Sequence, residues 1–200
     1  MVVSARICGR VALALGLTTA LAGSAAAQAR STSSSLFWKV VEDALGRPGT
    51  PNPQNVLKFG FPRSDLSVVL NGITLKPALA LGSWVAFQRI GDHVMVMGDL
   101  VLIDDEVAEV MASLQQNGIE QTALHNHLVG ESPHVMYMHI RAIGNPGRIA
   151  RAIRTALEFT NTPLAATPTA VVPPTAFVLD TAAIATTIGV RGKDHLLARL

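Results

Sequence analysis

The chain has 200 residues, one cysteine and a formal net charge of +2 at pH 7 with its six histidines neutral. This length suits one domain or slightly more, and a single cysteine excludes an internal disulfide framework. Near-neutral charge and an aromatic content of only 4% give no basis for nucleic-acid binding, so no nucleic-acid partner is expected.

Residues 1–27 have the features of a secretory signal peptide. Arg6 and Arg10 precede an apolar run over residues 11–21, and the small residues 23–27 offer a cleavage site. Removing the two arginines lowers Lys+Arg from 16 to 14, which balances the 14 Asp+Glu. The chain is therefore expected to be exported to the periplasm or the extracellular space, with no transmembrane span after cleavage. An uncleaved anchor is the alternative.

The region after the signal peptide begins with a Ser/Thr-rich stretch, residues 28–36, expected to be a flexible leader. Apolar spacing predicts a short helix over Phe37–Leu45, which Gly46 ends. Prolines interrupt residues 47–54 and predict an irregular loop.

Strand patterns dominate the next part of the chain. Strands are predicted at Lys58–Phe61, Leu66–Leu70, Ile73–Leu75, Trp84–Ile90 and His93–Leu102. Asn71-Gly72 predicts a hairpin turn between the second and third of these, and Gly91-Asp92 one between the last two. The final strand is almost continuously apolar, which predicts a central strand covered on both faces.

Two further helices are predicted on either side of a last hairpin. Asp104 is expected to cap a helix that ends at Asn117-Gly118, and Asn145-Pro146 is expected to begin the other. Because hairpins dominate the order, the fold class is predicted to be α+β: a mostly antiparallel sheet built from hairpins, with two or three helices packed on it.

The domain is assigned to residues 37–163. Residues 164–200 are expected to form a Pro/Thr/Ala-rich linker followed by an incomplete second repeat, because 180–192 faintly repeats the pattern that ends the first predicted helix. A simple C-terminal helix is the alternative.

Four of the six histidines fall between Ala123 and His139. They are His125, His127, His134 and His139, and Glu131 lies among them. Turn residues at 130–133 predict a hairpin in which His127 pairs with Tyr137 and His125 with His139. One face would then carry His125, His127, Tyr137 and His139, with Glu131 at the rim.

Three imidazoles and a carboxylate suit a divalent transition metal such as Zn, Mn, Fe, Ni or Cu. The predicted metal ligands are His125, His127, Glu131 and His139, and the predicted catalytic residues are Glu131 and His134. A register slip of one residue would put His134 in place of His139. The spacing His-x-His-x-x-x-Glu also resembles the first half of the cupin metal motif, although the second half is not apparent.

If the protein is an enzyme, the pattern favours metal-assisted hydrolysis, in which the ion lowers the pKa of a bound water and Glu131 takes its proton. The rival is a non-catalytic cell-envelope module that binds a small molecule or an envelope protein, with the histidines forming a structural network or a pH-sensitive surface. Four methionines, Met95, Met97, Met136 and Met138, suggest either thioether ligands for Cu(I) or ordinary core filling.

Three stretches together resemble the LppY/LpqO family of bacterial exported proteins. They are Gly60-Phe61-Pro62-Arg63-Ser64-Asp65-Leu66, Pro77-Ala78-Leu79-Ala80-Leu81-Gly82-Ser83-Trp84, and Ala123-Leu124-His125-Asn126-His127-Leu128 with Glu131-Ser132-Pro133 and His139. The resemblance implies export, sometimes as a lipoprotein, and often two such domains in tandem. It implies no established reaction.

Overall fold

The computed structural model describes residues 35–165 and 180–190. The chain divides into two units, Met1–Ala166 and Thr167–Leu200. The predicted signal peptide lies outside the described residues, as does the leader up to residue 34.

The described residues form eight strands and five helices. In chain order the strands are β1 (Thr50–Asn52), β2 (Val56–Pro62), β3 (Val69–Leu70), β4 (Ile73–Thr74), β5 (Gly82–Ile90), β6 (His93–Ile103), β7 (Glu120–His125) and β8 (Val135–Gly144). The helices are α1 (35–45), α2 (Pro77–Ala80), α3 (Asp104–Gln116), α4 (Pro146–Leu157) and α5 (Thr181–Ile188). The predicted α+β class is confirmed.

Six strands form one antiparallel sheet in the order β1-β2-β5-β6-β8-β7, and β3 pairs with β4 in a separate hairpin. Alternate side chains of β6 and β8 point to opposite faces of the sheet. On one face, Val96, Leu100, Met138 and Ile140 pack with α1, α3 and α4 in the main core. These three helices therefore cover one face and leave the other for the functional residues.

A smaller apolar cluster covers one end of that other face. It contains Val68, Leu75, Leu81, Val101, Val135 and Tyr137. β6 was predicted to be covered on both faces. The second face is covered only at this end of the strand, since Met97, nearer the start of β6, is 53% exposed.

The turn of the β3–β4 hairpin agrees with its sequence. Asn71 and Gly72 both have positive φ, 50° and 78°, as a two-residue turn that matches the twist of its strands requires. The predicted hairpin is confirmed, and it belongs to the layer that covers the small apolar cluster, since Val68 and Leu75 flank it.

The start of α3 differs in detail from the prediction. Asp104 is the first helical residue, and the N-cap position falls to Ile103. Glu106 reaches back instead, and its Oε2 accepts the backbone N–H of Ile103 at 3.0 Å. At α4 the predicted cap is confirmed: Asn145 Oδ1 accepts the N–H of Arg148 at 2.9 Å.

Arg63, just after β2, is fully buried. Its Nη1 and Nη2 donate to the two carboxylate oxygens of Glu106 at 2.7 and 2.9 Å. The Nε and Nη2 atoms donate to Asp65 at 3.0 and 2.8 Å, and Nη1 also donates to the carbonyl of Val101 at 2.7 Å. One guanidinium thus joins the end of β2 to β6 and to the first turn of α3.

The second unit is described only over residues 180–190. Asp180 caps α5 by accepting the N–H of Ala183 at 2.9 Å, and Gly189 ends the helix with φ of 73°. A helix ended by a left-handed glycine also occurs at Gly46, with φ of 72°, but the incomplete repeat stays a prediction. Over the described residues, no helix combines the length and apolar character needed to cross a membrane.

Candidate metal centre

The histidine hairpin has a different register from the predicted one. His125 pairs with Tyr137, whereas His139 pairs with Ala123. The predicted pairing of His125 with His139 is therefore wrong by two residues. A shift of two residues preserves the face on which each side chain lies, so the predicted face survives the correction.

The loop between β7 and β8 explains the shift. Ser132 does not lie at a hairpin tip but bridges to β3: its N–H donates to the carbonyl of Val69 at 2.9 Å, and its carbonyl accepts the N–H of Val69 at 2.8 Å. This attachment holds residues 126–134 as a longer connection. A register shift between Gln121 and Ala123 also interrupts the ladder.

The site occupies two rows that cross three neighbouring strands on the face without the long helices. Pairing across β6, β8 and β7 gives one row, Asp99–His139–Ala123, and a second row, Val101–Tyr137–His125. His139 and His125 are thus diagonal neighbours, a separation that long side chains can bridge. Ala123, the residue paired with His139, has a small side chain.

Three histidines converge at this point. His125 Nε2 and His139 Nε2 are 3.1 Å apart. One ring nitrogen from each of His125, His127 and His139 lies within 4.8 Å of the others. Two nitrogen ligands of a tetrahedral zinc ion, each about 2.05 Å from the metal, are roughly 3.3 Å apart. The spacing of the first pair is close to this value, and the limit of 4.8 Å for the whole group is wider. The pair formed by His125 and His139 is therefore the part of the group that already has the spacing a metal requires.

His127 lies beyond the end of β7 and is positioned by aromatic packing. Its ring stacks on Tyr137 with centroids 3.9 Å apart and on His125 with centroids 4.8 Å apart. Tyr137 is fixed in turn, because its hydroxyl donates to the carbonyl of Ala80 at 2.7 Å. Burial raises the pKa of Tyr137, and the negative charges of Asp99 and Glu131 raise it further.

The three histidines differ in exposure. His125 and His139 are half-buried, and His127 is exposed. An ion held by this group would have access to solvent on one side. Such openness is typical of catalytic metal sites, whereas structural sites surround the metal with protein ligands.

Glu131 is placed away from the predicted rim. Its side chain is fully buried, and Oε1 accepts the N–H of Val135 at 3.2 Å and lies 3.8 Å from His134 Nε2. Its Oε2 is buried and has no hydrogen-bond partner in the described part of the chain. Glu131 is not one of the three residues whose ligand atoms converge, and its predicted ligand and base roles stay predictions.

His134 also lies apart from the three-histidine group. It precedes β8, so the register slip that would exchange it with His139 does not occur. Its Nδ1 lies 2.8 Å from Asp104 Oδ1. The hydrogen bond to Asp104 raises the pKa of His134, and the charges of Asp104 and Glu131 act in the same direction.

Asp99 is a site residue that the sequence interpretation missed. Its Oδ2 lies 3.7 Å from His139 Nε2, and its side chain is only 14% exposed. Its Oδ1 is buried without a hydrogen-bond partner among the described residues. The available signal was Gly98-Asp99, a polar interruption of an otherwise apolar central strand.

The four methionines do not form a common site. Met95 and Met97 are paired with Ile143 and Arg141 on one face, while Met136 and Met138 are paired with Leu102 and Leu100 on the other. Met138 belongs to the main core. The copper-thioether interpretation is therefore wrong for the set, because the sheet separates its members.

Comparison with protein families gives one match. The family described as Domain of Unknown Function (DUF1259) matches residues 39–159, more than half of the chain. This match does not confirm the name LppY/LpqO. The searches of curated proteins and of solved structures found no match.

Proposed function

We propose that this chain, which belongs to the DUF1259 family, binds a divalent transition metal through His125, His127 and His139. The observation that carries the proposal is the convergence of three ring nitrogens within 4.8 Å of one another. Neutral imidazole is the commonest protein ligand of such metals, and Zn, Mn, Fe, Ni and Cu are the candidates.

Three protein ligands leave coordination positions for water or a substrate. The exposure of His127 supports access to those positions from solvent. A metal in this setting supplies Lewis acidity and lowers the pKa of a bound water, which is the basis for proposing metal-assisted hydrolysis as the reaction class.

We propose that Glu131 accepts a proton in that reaction and that His134 is its partner in proton transfer. Glu131 is supported in this role by its buried, unpartnered Oε2, since a carboxylate oxygen without a hydrogen-bond donor is a strong acceptor. His134 lies 3.8 Å from Glu131 Oε1 and 2.8 Å from Asp104, so it can pass a proton between Glu131 and the exposed surface.

The second candidate is a non-catalytic envelope module that binds a small molecule or an envelope protein. Two contacts favour it: the 3.1 Å approach of His125 to His139 is also a hydrogen-bond distance, and His127 packs closely on Tyr137. In this case the histidines stabilise the loop after β7 and bind no metal.

Substitution of His127 by alanine separates the two candidates. His127 is exposed, so a metal site should lose its affinity for Zn²⁺ while the metal-free protein keeps its Tm. His93→Ala, at an exposed histidine that begins β6, is the matched control and should change neither quantity. A wild type that binds no Zn²⁺, together with a large fall in Tm of the metal-free His127→Ala variant, would instead favour the structural network. Unchanged Zn²⁺ binding in His127→Ala would contradict the assignment of His127 as a ligand.

We also propose export through the N-terminal segment, which is supported by the arginines, the apolar run and the small residues of 1–27. N-terminal sequencing of the protein isolated from its native host should give a chain that starts near Gln28. A chain that retains the first 27 residues would refute cleavage.

A further inference from the structure

A second carboxylate lies directly beside the three-histidine group. Asp99 on β6 pairs with His139 on β8, and residues paired in this way project from the same face of the sheet. Asp99 Oδ2 is 3.7 Å from His139 Nε2. The contact is therefore fixed by the central strands of the sheet and does not depend on a loop.

The position of this contact on the imidazole ring is informative. Asp99 approaches Nε2, and the same nitrogen lies 3.1 Å from His125 Nε2. A carboxylate that only orients a metal-bound histidine contacts the other ring nitrogen, on the side away from the ion. Asp99 instead contacts the nitrogen of His139 that faces His125, at 3.7 Å against the roughly 3.3 Å that separates two ligands of one tetrahedral ion. Its carboxylate is not among the ligand atoms that all lie within 4.8 Å of one another, so metal binding would require the Asp99 side chain to move toward the other two histidines.

The environment of Asp99 favours contact with a cation. Its Oδ1 is buried and unpartnered within the described residues, and its side chain is 14% exposed. Burying a carboxylate oxygen without a donor opposes folding, and a buried charge is normally paired or bound to a metal. Three neutral imidazoles supply no negative charge, so one carboxylate would also offset part of the charge of a divalent ion.

Glu131 provides an internal comparison. It too has a buried oxygen without a partner among the described residues. However, its other oxygen accepts the N–H of Val135 and faces His134, which is outside the converging group. Asp99 contacts His139, a member of the three-histidine group, whereas Glu131 contacts His134, which lies outside it.

We propose that Asp99 is the fourth protein ligand of the metal centre, which gives a set of three histidines and one aspartate. Four protein ligands fill a tetrahedral ion, so a position for water would require an ion with a higher coordination number, such as five-coordinate Zn²⁺ or octahedral Mn²⁺. This inference rests on the proposed metal-binding function and deepens it. A mixed imidazole and carboxylate set suits Zn²⁺, Mn²⁺ or Fe²⁺ and disfavours Cu(I), which selects thiolate and thioether ligands. The ligand class of the site is accordingly a divalent cation.

The test compares Asp99→Asn with Asp92→Asn, the same change at an exposed aspartate in the turn that precedes β6. Co²⁺ affinity is measured by calorimetry, the Co²⁺ visible spectrum is recorded, and the Tm of each metal-free variant is determined. Asp99→Asn should bind Co²⁺ more than about 100-fold more weakly, because loss of a direct ligand should exceed the 10–100-fold loss that follows removal of a group that only orients a ligand. Its spectrum should also change, whereas Asp92→Asn should leave both unchanged.

The metal-free Tm distinguishes a ligand from a structural residue. Because Asp99→Asn keeps the size of the side chain and removes its charge, its metal-free Tm should stay close to that of the wild type while metal affinity falls. A fall in both would overturn the proposal in favour of a structural role. Wild-type Co²⁺ affinity and spectrum in Asp99→Asn would overturn it while the three-histidine site stands. If the wild type binds no metal, both proposals fail.

Discussion

Replacing Arg63 with methionine tests how the domain connects its central strands to α3. The guanidinium is fully buried, and the carboxylates of Glu106 and Asp65 that it contacts have side chains only 7% and 15% exposed. Methionine keeps most of the side-chain length but removes the charge and every donor. Two nearly buried carboxylates would then face one another without a cation.

The expected loss is large. Breaking a buried ion pair by removing one partner typically costs about 3–5 kcal/mol. For a domain of this size, each kcal/mol lowers Tm by roughly 3–4 °C. Arg63→Met should therefore lower Tm by about 10–20 °C. Arg63→Lys should cost less, because the charge remains while the two-point contacts with carboxylates are lost.

Thermal unfolding followed by circular dichroism measures the effect. Arg151→Met, at an exposed arginine of α4, is the matched control and should lie within about 0.5 kcal/mol of the wild type. The triple variant with Arg63→Met, Asp65→Asn and Glu106→Gln should recover part of the loss, because it removes the unpaired charges. A Tm for Arg63→Met similar to that of Arg151→Met would refute this reasoning.

Two further predictions concern single contacts. The hydrogen bond to Asp104 raises the pKa of His134. Asp104→Asn should therefore lower that pKa toward its ordinary value near 6.5, as measured by NMR titration. An unchanged pKa would contradict this cause. In the wild type this pairing favours folding below pH 6.5, and its contribution disappears as the pH rises through the folded-state pKa of His134. Asn145→Ala should cost about 1 kcal/mol in chemical denaturation through loss of the α4 cap, and no change would show that the cap is not needed.

Local patterns in the sequence predicted most of the elements, although β1 (Thr50–Asn52) lies where an irregular loop was predicted, because its pairing with β2 does not depend on the prolines around it. The Asn71-Gly72 turn depends on the conformational freedom of those two residues, and the start of α4 depends on Asn145 and Pro146. Such preferences act within a few residues and need no knowledge of distant contacts. The convergence of His125 and His139 was also predictable, because alternation keeps both on one face even when the register changes by two.

The remaining features depend on contacts between distant parts of the chain. The hairpin register reflects the bridge between Ser132 and Val69, which no pattern near Ser132 announces. The pairing of Asp99 with His139 joins two strands separated by a helix and by β7. The burial of Arg63 likewise depends on Glu106, 43 positions later. Sequence spacing could identify Arg63 and Asp99 as polar residues near strands, but it could not identify the residues that they contact.

The most direct test of the metal-centre proposal is elemental analysis of the chain from Gln28 to Leu200, purified from its native compartment without a histidine tag. The proposal predicts close to one equivalent of a divalent transition metal in the wild type, retained in His93→Ala and lost in His127→Ala. A protein that is isolated without metal and also fails to bind added Zn²⁺, Mn²⁺, Fe²⁺, Ni²⁺ or Cu²⁺ would contradict it.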